Sequence, residues 1–382
     1  MSNKKRVLIC IDWYEPGFKA GGPIRSVANM VGALKEDYEF YILTSAYDLG
    51  ETTPYPGIEL NQWHDQHGVF IKYMSDKALT MSSVKGNVAE INPDVLYLNS
   101  LFSKLFTLAP LMWANRNKAK VVLAPRGMLG QGALDIKKSK KKLFLFLARL
   151  SFFYRKVLWH ASTSEEENEI KKVFGKRAKI FIAQNIPITQ TNKLDDILKA
   201  KQTGKCKFIF LSRIATKKNL HLAIQCIKQL KNTMPLEFDI YGHIEDKEYF
   251  DSFKEDIRDH GNVKIEYKGV LNPASIADVY MHADFMVLPT RHENYGHAIV
   301  EAWANGCPVI ISKNTPWKNL RVQDLGWDVD INDPKHLIDA MQESIDMDFT
   351  SYLTMVRASY KYFAEKICDE SVLNANRQLF EQ

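Results

Sequence analysis

The chain has 382 residues, 46% hydrophobic and 25% charged, which suits a soluble globular protein of two domains and excludes a disordered or fibrous chain. A net charge of +6 argues only weakly for anionic partners, and no helix-turn-helix, RRM or zinc pattern supports nucleic acid. Five scattered cysteines (Cys10, Cys206, Cys226, Cys307, Cys368) exclude a disulfide frame and a zinc site, and point to a reducing compartment.

The start, Met1 to Arg6, leads into Val7–Ile11, a run too short for a secretory h-region. No segment reaches the ~20 apolar residues of a membrane span, so the protein is expected in the cytoplasm. Val7–Ile11 reads as a strand and Asp12 to Gly22 as a loop. Pro23 then sits in the first turn of a helix through Ile24, Val27, Met30, Val31 and Leu34. The paired Gly21 and Gly22 let backbone approach a ligand closely, although a plain tight turn explains them as well. The Rossmann G-x-G-x-x-G fingerprint is absent.

Further strands are expected at Phe40–Leu43, Val95–Leu98 and Val121–Ala124, with loops and a hairpin between Ala46 and Asp76. Asn99 and Arg126 follow strand ends. The run Lys137–Lys142 precedes LFLFLARLSFFYRKVLW, whose Phe144, Phe146, Phe152 and Phe153 are expected mostly in the core. Its lysines read as a solvated helix face or as a contact with an anionic membrane. Arg149 and Arg155 interrupt the run, so it does not span a bilayer. Ser162–Lys172 reads as a capped helix, Ile180–Ala183 as a strand, and Thr189–Gly204 as the interdomain linker.

The α/β alternation restarts with strand Phe208–Leu211 and a helix through Leu222, Ile224, Ile227 and Leu230. Arg213 and Lys218 stand between them, where two cations can balance charge on a departing diphosphate. Strands Phe238–Tyr241 and Val263–Tyr267 end at Gly242 and at Lys268-Gly269-Val270. Next comes a strand–loop–helix–strand unit, with strands Phe285–Leu288 and Pro308–Ile311 around a helix from Gly296 that Gly306 stops. Glu293 sits in its loop and Glu301 about a turn inside its helix. The backbone N–H groups of Tyr295, Gly296 and His297 suit an anion such as a phosphate. A carboxylate can accept two hydrogen bonds from a sugar diol, so the arrangement suits a nucleotide-sugar. Plain solvated glutamates are the alternative. The tail from Asp346 to Gln382 is helical in pattern, with Tyr352, Tyr360, Tyr362 and Phe363 expected buried.

Glu-Asn-Tyr-Gly at 293–296, seven residues between Glu293 and Glu301, and Gly-Cys-Pro-Val at 306–309 together resemble the signature of retaining GT-B glycosyltransferases of the family 4 type. The R-x4-K spacing of Arg213 and Lys218 resembles that family's phosphate clamp, with Asn219 where a glycine is usual. Asn294 and Tyr295 replace the usual glycine and phenylalanine. Asn99 and Arg126 stand where relatives carry histidines, and Asn185 where they carry Asn-Gly.

The resemblance implies two doubly wound Rossmann-like α/β domains facing across a cleft. Residues 1–187 would form the acceptor side, with a helix at about 365–382 packing back on it, and 188–364 the donor domain. It implies transfer of a sugar from a nucleoside-diphosphate sugar, of UDP or GDP type, to a glycan or lipid-linked acceptor in cell-surface polysaccharide synthesis. Arg213, Lys218, Glu293 and Arg126 would be catalytic. Gly21, Gly22, Gly242, Val270, Asn294, Tyr295, Gly296, His297 and Glu301 would bind the donor. No metal and no cofactor are expected. Peripheral contact with the inner face of the membrane would run through Lys137–Lys142. A nucleotide-sugar 2-epimerase of the same fold and a non-catalytic sugar-binding subunit of an assembly complex stay open, the latter because of Asn99, Arg126 and Asn185.

Overall fold

The computed structural model describes residues 4–117, 119–130, 134, 138–188, 192–198 and 201–382. The chain divides into two units, Met1–Ile186 with Glu370–Gln382, and Pro187–Asp369. Each is built on its own sheet.

In the first unit the strands are β1 (Arg6–Cys10), β2 (Glu39–Ser45), β3 (Trp63–Gln66), β4 (Val69–Met74), β5 (Val95–Leu98), β6 (Lys120–Leu123), β7 (Leu158–Ala161) and β8 (Lys179–Ile182). Their order across the sheet is β3-β4-β2-β1-β5-β6-β7-β8. Only β3 and β4 pair antiparallel. They form the expected hairpin, turned by His67 (φ 56°) and Gly68 (φ 84°), both left-handed as a two-residue turn requires. Alternate residues of β1 enter different cores. Leu8 and Cys10 pack with Val84, Val88 and Ile91 of the helix Met81–Ile91, while Val7 and Ile9 pack with Val27, Met30 and Leu34 of the helix Gly22–Leu34. A strand buried on both faces must be apolar throughout, which is why β1 and β5 read as continuous apolar runs. The last helix, Glu370–Glu381, also packs on this unit: Phe380 meets the rings of Tyr38, Phe40 and Tyr97 at 5.2, 6.2 and 5.9 Å.

In the second unit β9 (Cys206–Leu211), β10 (Leu236–Tyr241), β11 (Val263–Gly269), β12 (Phe285–Leu288), β13 (Val309–Ser312) and β14 (Gly326–Val329) are all parallel, in the order β11-β10-β9-β12-β13-β14. This is the doubly wound order, and its direction reverses between β9 and β12.

Strands β7 and β14 were not expected from the sequence. The aromatic run before β7 hides its short period, and β14 begins with glycine. Tyr352 and Phe363 are buried, whereas Tyr360 and Tyr362 are half-buried. In the helix Lys138–Leu150 and the turn after it, Phe146 and Phe153 are exposed rather than in the core, and Phe144 is half-buried. Lys137 lies outside the described residues, as do the side chains of Lys138, Lys140 and Phe152. So do residues 189–191, 199 and 200 of the expected linker, in which Leu194–Ile197 form one helical turn. Among the described residues no helix is long and apolar enough to cross a membrane.

Candidate functional site

In a doubly wound sheet, ligands gather beyond the carboxyl ends of the strands where the strand order reverses. In the second unit that place lies beyond β9 and β12. The segment after β9 carries Arg213 and Lys218, and the segment after β12 carries Glu293. Two bonds lace them together: Arg291 N donates to Lys217 O at 2.8 Å, and Thr290 Oγ1 to the same carbonyl at 3.2 Å. Lys218 Nζ then reaches the Glu293 carboxylate in a salt bridge whose side chains are only 10% and 14% exposed. Burial alone raises the Glu293 carboxyl, but the charges of Lys218, Lys217 and Arg213 overrule it and hold it at about 2. Glu293 is therefore ionised throughout the physiological range.

Arg213 Nη1 bonds Glu245 Oε2 at 2.6 Å. Glu245, in the loop after β10, was not singled out from the sequence; an acid three residues past Gly242 is the signal it left. Lys217 was also passed over, and its charge counts among those acting on Glu293.

Gly242 follows β10 with φ 147°, and a Cβ there would lie 1.8 Å from Ser212 O, so only glycine fits against the β9 segment. Its N–H donates to Gly269 O at 2.9 Å and its carbonyl accepts from Tyr267 Oη at 2.8 Å. Val270, the next residue after β11, is 43% exposed. Gly242 and Val270 thus lie on the same sheet edge as Arg213, Lys218 and Glu293.

From Glu293 the chain runs through Asn294 and Tyr295 to Gly296, whose φ of 84° caps the helix His297–Ala304. A Cβ on Gly296 would meet Ile299 Cδ1 at 2.8 Å and Glu293 Cγ at 3.2 Å. Tyr295 is buried, and its carbonyl accepts from Trp317 Nε1 at 2.6 Å. Glu301 lies on the following helix at 6% exposure, well below a surface glutamate. The helix start offers amides to an anion, and its dipole favours one.

The first unit holds the remaining candidates. Gly21 (φ 68°) caps the helix Gly22–Leu34. Asn99 Nδ2 donates to Pro23 O at 3.4 Å, tying β5 to that helix start. Arg126, left-handed at φ 54°, spends its guanidinium on three neighbours: Nε on Asn99 Oδ1 at 2.7 Å, Nη2 on Tyr97 Oη at 2.7 Å, and Nη1 on Asn185 Oδ1. Tyr97 in turn donates to His160 Nδ1 at 2.8 Å, and His160 Nε2 donates to Ala183 O at 2.8 Å. Burial, and next the Arg126 charge, push His160 down to about 3, so it stays neutral. Glu166, buried, accepts from Gly127 N at 2.7 Å and Ser162 N at 2.8 Å and fixes the turn that carries Arg126.

Among solved structures, HepE from Anabaena, in complex with UDP and glucose, superposes with a TM-score of 0.72 at 14% identity, covering 99% of this chain and 98% of that one. Sucrose-phosphate synthase from Thermosynechococcus elongatus gives 0.73 at 14% identity over 100% and 99%. The architecture is the GT-B fold. Poly(glycerol-phosphate) alpha-glucosyltransferase of Bacillus subtilis (strain 168) is 30% identical over 151 residues, 39% of this chain and 21% of its own length. Matches to curated relatives span between 21% and 59% of those proteins' lengths. At the level of family, residues 194–362, most of the second unit, match the glycosyl transferases group 1.

Proposed function

We propose that the protein is a retaining glycosyltransferase that moves a sugar from a nucleoside-diphosphate sugar to a glycan or lipid-linked acceptor in cell-surface polysaccharide synthesis. The observation that carries this reading is the buried Lys218–Glu293 pair, with Arg213 on the same edge, where the strand order of a doubly wound sheet reverses. The group 1 match over residues 194–362 supports it.

As the sugar departs, negative charge grows on the diphosphate, and Arg213, Lys218 and the amides at the His297 helix start stabilise it. Glu301 holds the ribose diol and Glu293 a hydroxyl of the transferred sugar. Gly242 and Val270 give the base a backbone surface. Arg126, in the first unit, serves the acceptor side. The cations do the work a divalent ion does elsewhere, so the reaction is metal-independent. The basic run Lys137–Lys142 brings the protein to a membrane where a lipid-linked acceptor resides.

The test is turnover of UDP- and GDP-sugars with glycan and lipid-linked acceptors, with the anomeric configuration of the product read by NMR. Arg213→Ala and Lys218→Ala should each lower kcat by roughly 10²–10³, as loss of a charge-stabilising donor does. Chelation by EDTA should leave the rate unchanged. Epimerised donor without transfer would move the reading to an epimerase. Donor binding without any turnover would move it to a sugar-binding subunit.

A further inference from the structure

The helix Lys138–Leu150 is apolar on two sides. Its inward stripe is Lys141, Phe144, Leu145 and Ala148, at the i, i+3, i+4, i+7 spacing of a core-facing helix. Leu145 and Ala148 are buried, Phe144 meets Phe102 edge-on at 5.3 Å, and Lys141 Nζ lies 5.3 Å from the centroid of the same ring. That stripe accounts for one side only. On the other, Leu143, Phe146 and Leu147 are 61%, 60% and 56% exposed. Single apolar side chains on a surface are ordinary, but three on one helix face form a patch that marks an interaction site.

The surrounding charge selects the partner. From Lys137 to Thr163 the sequence has eight basic side chains and no acidic one. Lys142 and Arg149, both exposed, fall at the border of the patch on the helix circumference. Acidic residues begin in the next helix at Glu165; there Glu166 is buried and bonded, and Glu167 pairs with Lys171 at 2.6 Å. An apolar stripe bordered by cations is the pattern of a helix lying in the headgroup region of an anionic bilayer. A second copy would bring its own Lys142 and Arg149 to a self-complementary contact and place like charges together.

We propose that Leu143, Phe146 and Leu147 insert into an anionic lipid surface, with Lys142 and Arg149 on its headgroups. This deepens the membrane contact of the reading above, but the binding is measured without any transfer reaction. The full chain should sediment with phosphatidylglycerol-containing vesicles and not with pure phosphatidylcholine vesicles, and the binding should fall as salt rises. Leu143→Ser/Phe146→Ser/Leu147→Ser should weaken binding by about tenfold for each side chain, and Phe146→Ser alone by about tenfold. Lys142→Gln/Arg149→Gln should lose about fivefold per charge. Thermal melts and UDP binding should match the parent for every variant, since all these side chains are exposed. Equal sedimentation of parent and triple variant overturns the proposal. So does a concentration-dependent dimer that the triple variant abolishes while neither protein binds vesicles. Vesicle binding without turnover would leave the lipid face standing and remove the transferase reading instead.

Discussion

Lys218 and Glu293 each replace the water that the other's charge has lost. Breaking such a pair strands a buried charge, so Lys218→Ala should lower stability by about 3 kcal/mol in addition to its effect on kcat. The double change with Glu293→Gln should cost less than the two single changes added, measured by urea unfolding in a double-mutant cycle. The two glutamates should differ kinetically. With the roles proposed above, Glu301→Gln would lose charge-assisted bonds to a ribose and should raise the donor KM more than it lowers kcat, while Glu293→Gln, proposed to hold the reacting sugar, should do the reverse. Identical kinetic profiles for the two variants would show that the roles are misassigned. Asn219, where a glycine is usual, has φ 61° and ψ 33°. Asparagine tolerates that left-handed conformation better than other residues with a side chain, so the departure leaves the backbone beside Lys218 undisturbed.

At the scale of elements, Arg126 bonds both Asn99 and Asn185, so the two residues that stand where relatives carry histidines form one local network with the asparagine that is kept. They join the ends of β5 and β6 to the segment after β8, with Tyr97 and His160 continuing the chain into β7. Because His160 is held at about 3, against 6.5 when exposed, the unfolded chain binds its proton first as pH falls. Its contribution to stability is complete above pH 6.5 and is lost as pH drops from there toward 3, at up to about 1.4 kcal/mol per pH unit. His221 in the second unit, lowered by burial and Arg291, acts in the same sense. Urea unfolding at pH 7 and pH 5 should therefore show a smaller pH loss in His160→Gln than in the parent. An unchanged pH dependence would mean that the imidazole takes up its proton without unfolding the strand ends.

For the whole molecule, the last helix belongs to the first unit although the second unit precedes it in sequence. Phe380 lies against Tyr38, Phe40 and Tyr97, Asn376 Nδ2 bonds Gln184 O at 2.9 Å, and Lys120 Nζ bonds Phe380 O at 2.8 Å. Truncation after Asp369 removes those contacts, and losing one large buried aromatic costs about 3–5 kcal/mol. The truncated chain should melt earlier in the first unit and, with the donor site proposed in the second, respond to UDP or GDP as the full chain does, read by calorimetry with and without nucleotide. An unchanged first transition, with the nucleotide response lost, would contradict this.

The sequence alone determined that two α/β units exist. Runs such as Val7–Ile11 and Phe285–Leu288 are apolar at every position, because a strand covered on both faces has no polar side, and helix patterns separate them. The glycines and charged residues after the strands were legible for a related reason: a chain leaving a buried strand must change composition sharply. Strand order, the reversal between β9 and β12, and the meeting of Lys218 with Glu293 across 75 positions were decided by the tertiary structure. Partners that far apart leave no periodicity to read. The same holds for the helix Lys138–Leu150. Its composition permitted either a core or a surface for Phe146, and only the packing of Phe144, Leu145 and Ala148 against the first unit left Leu143, Phe146 and Leu147 outside.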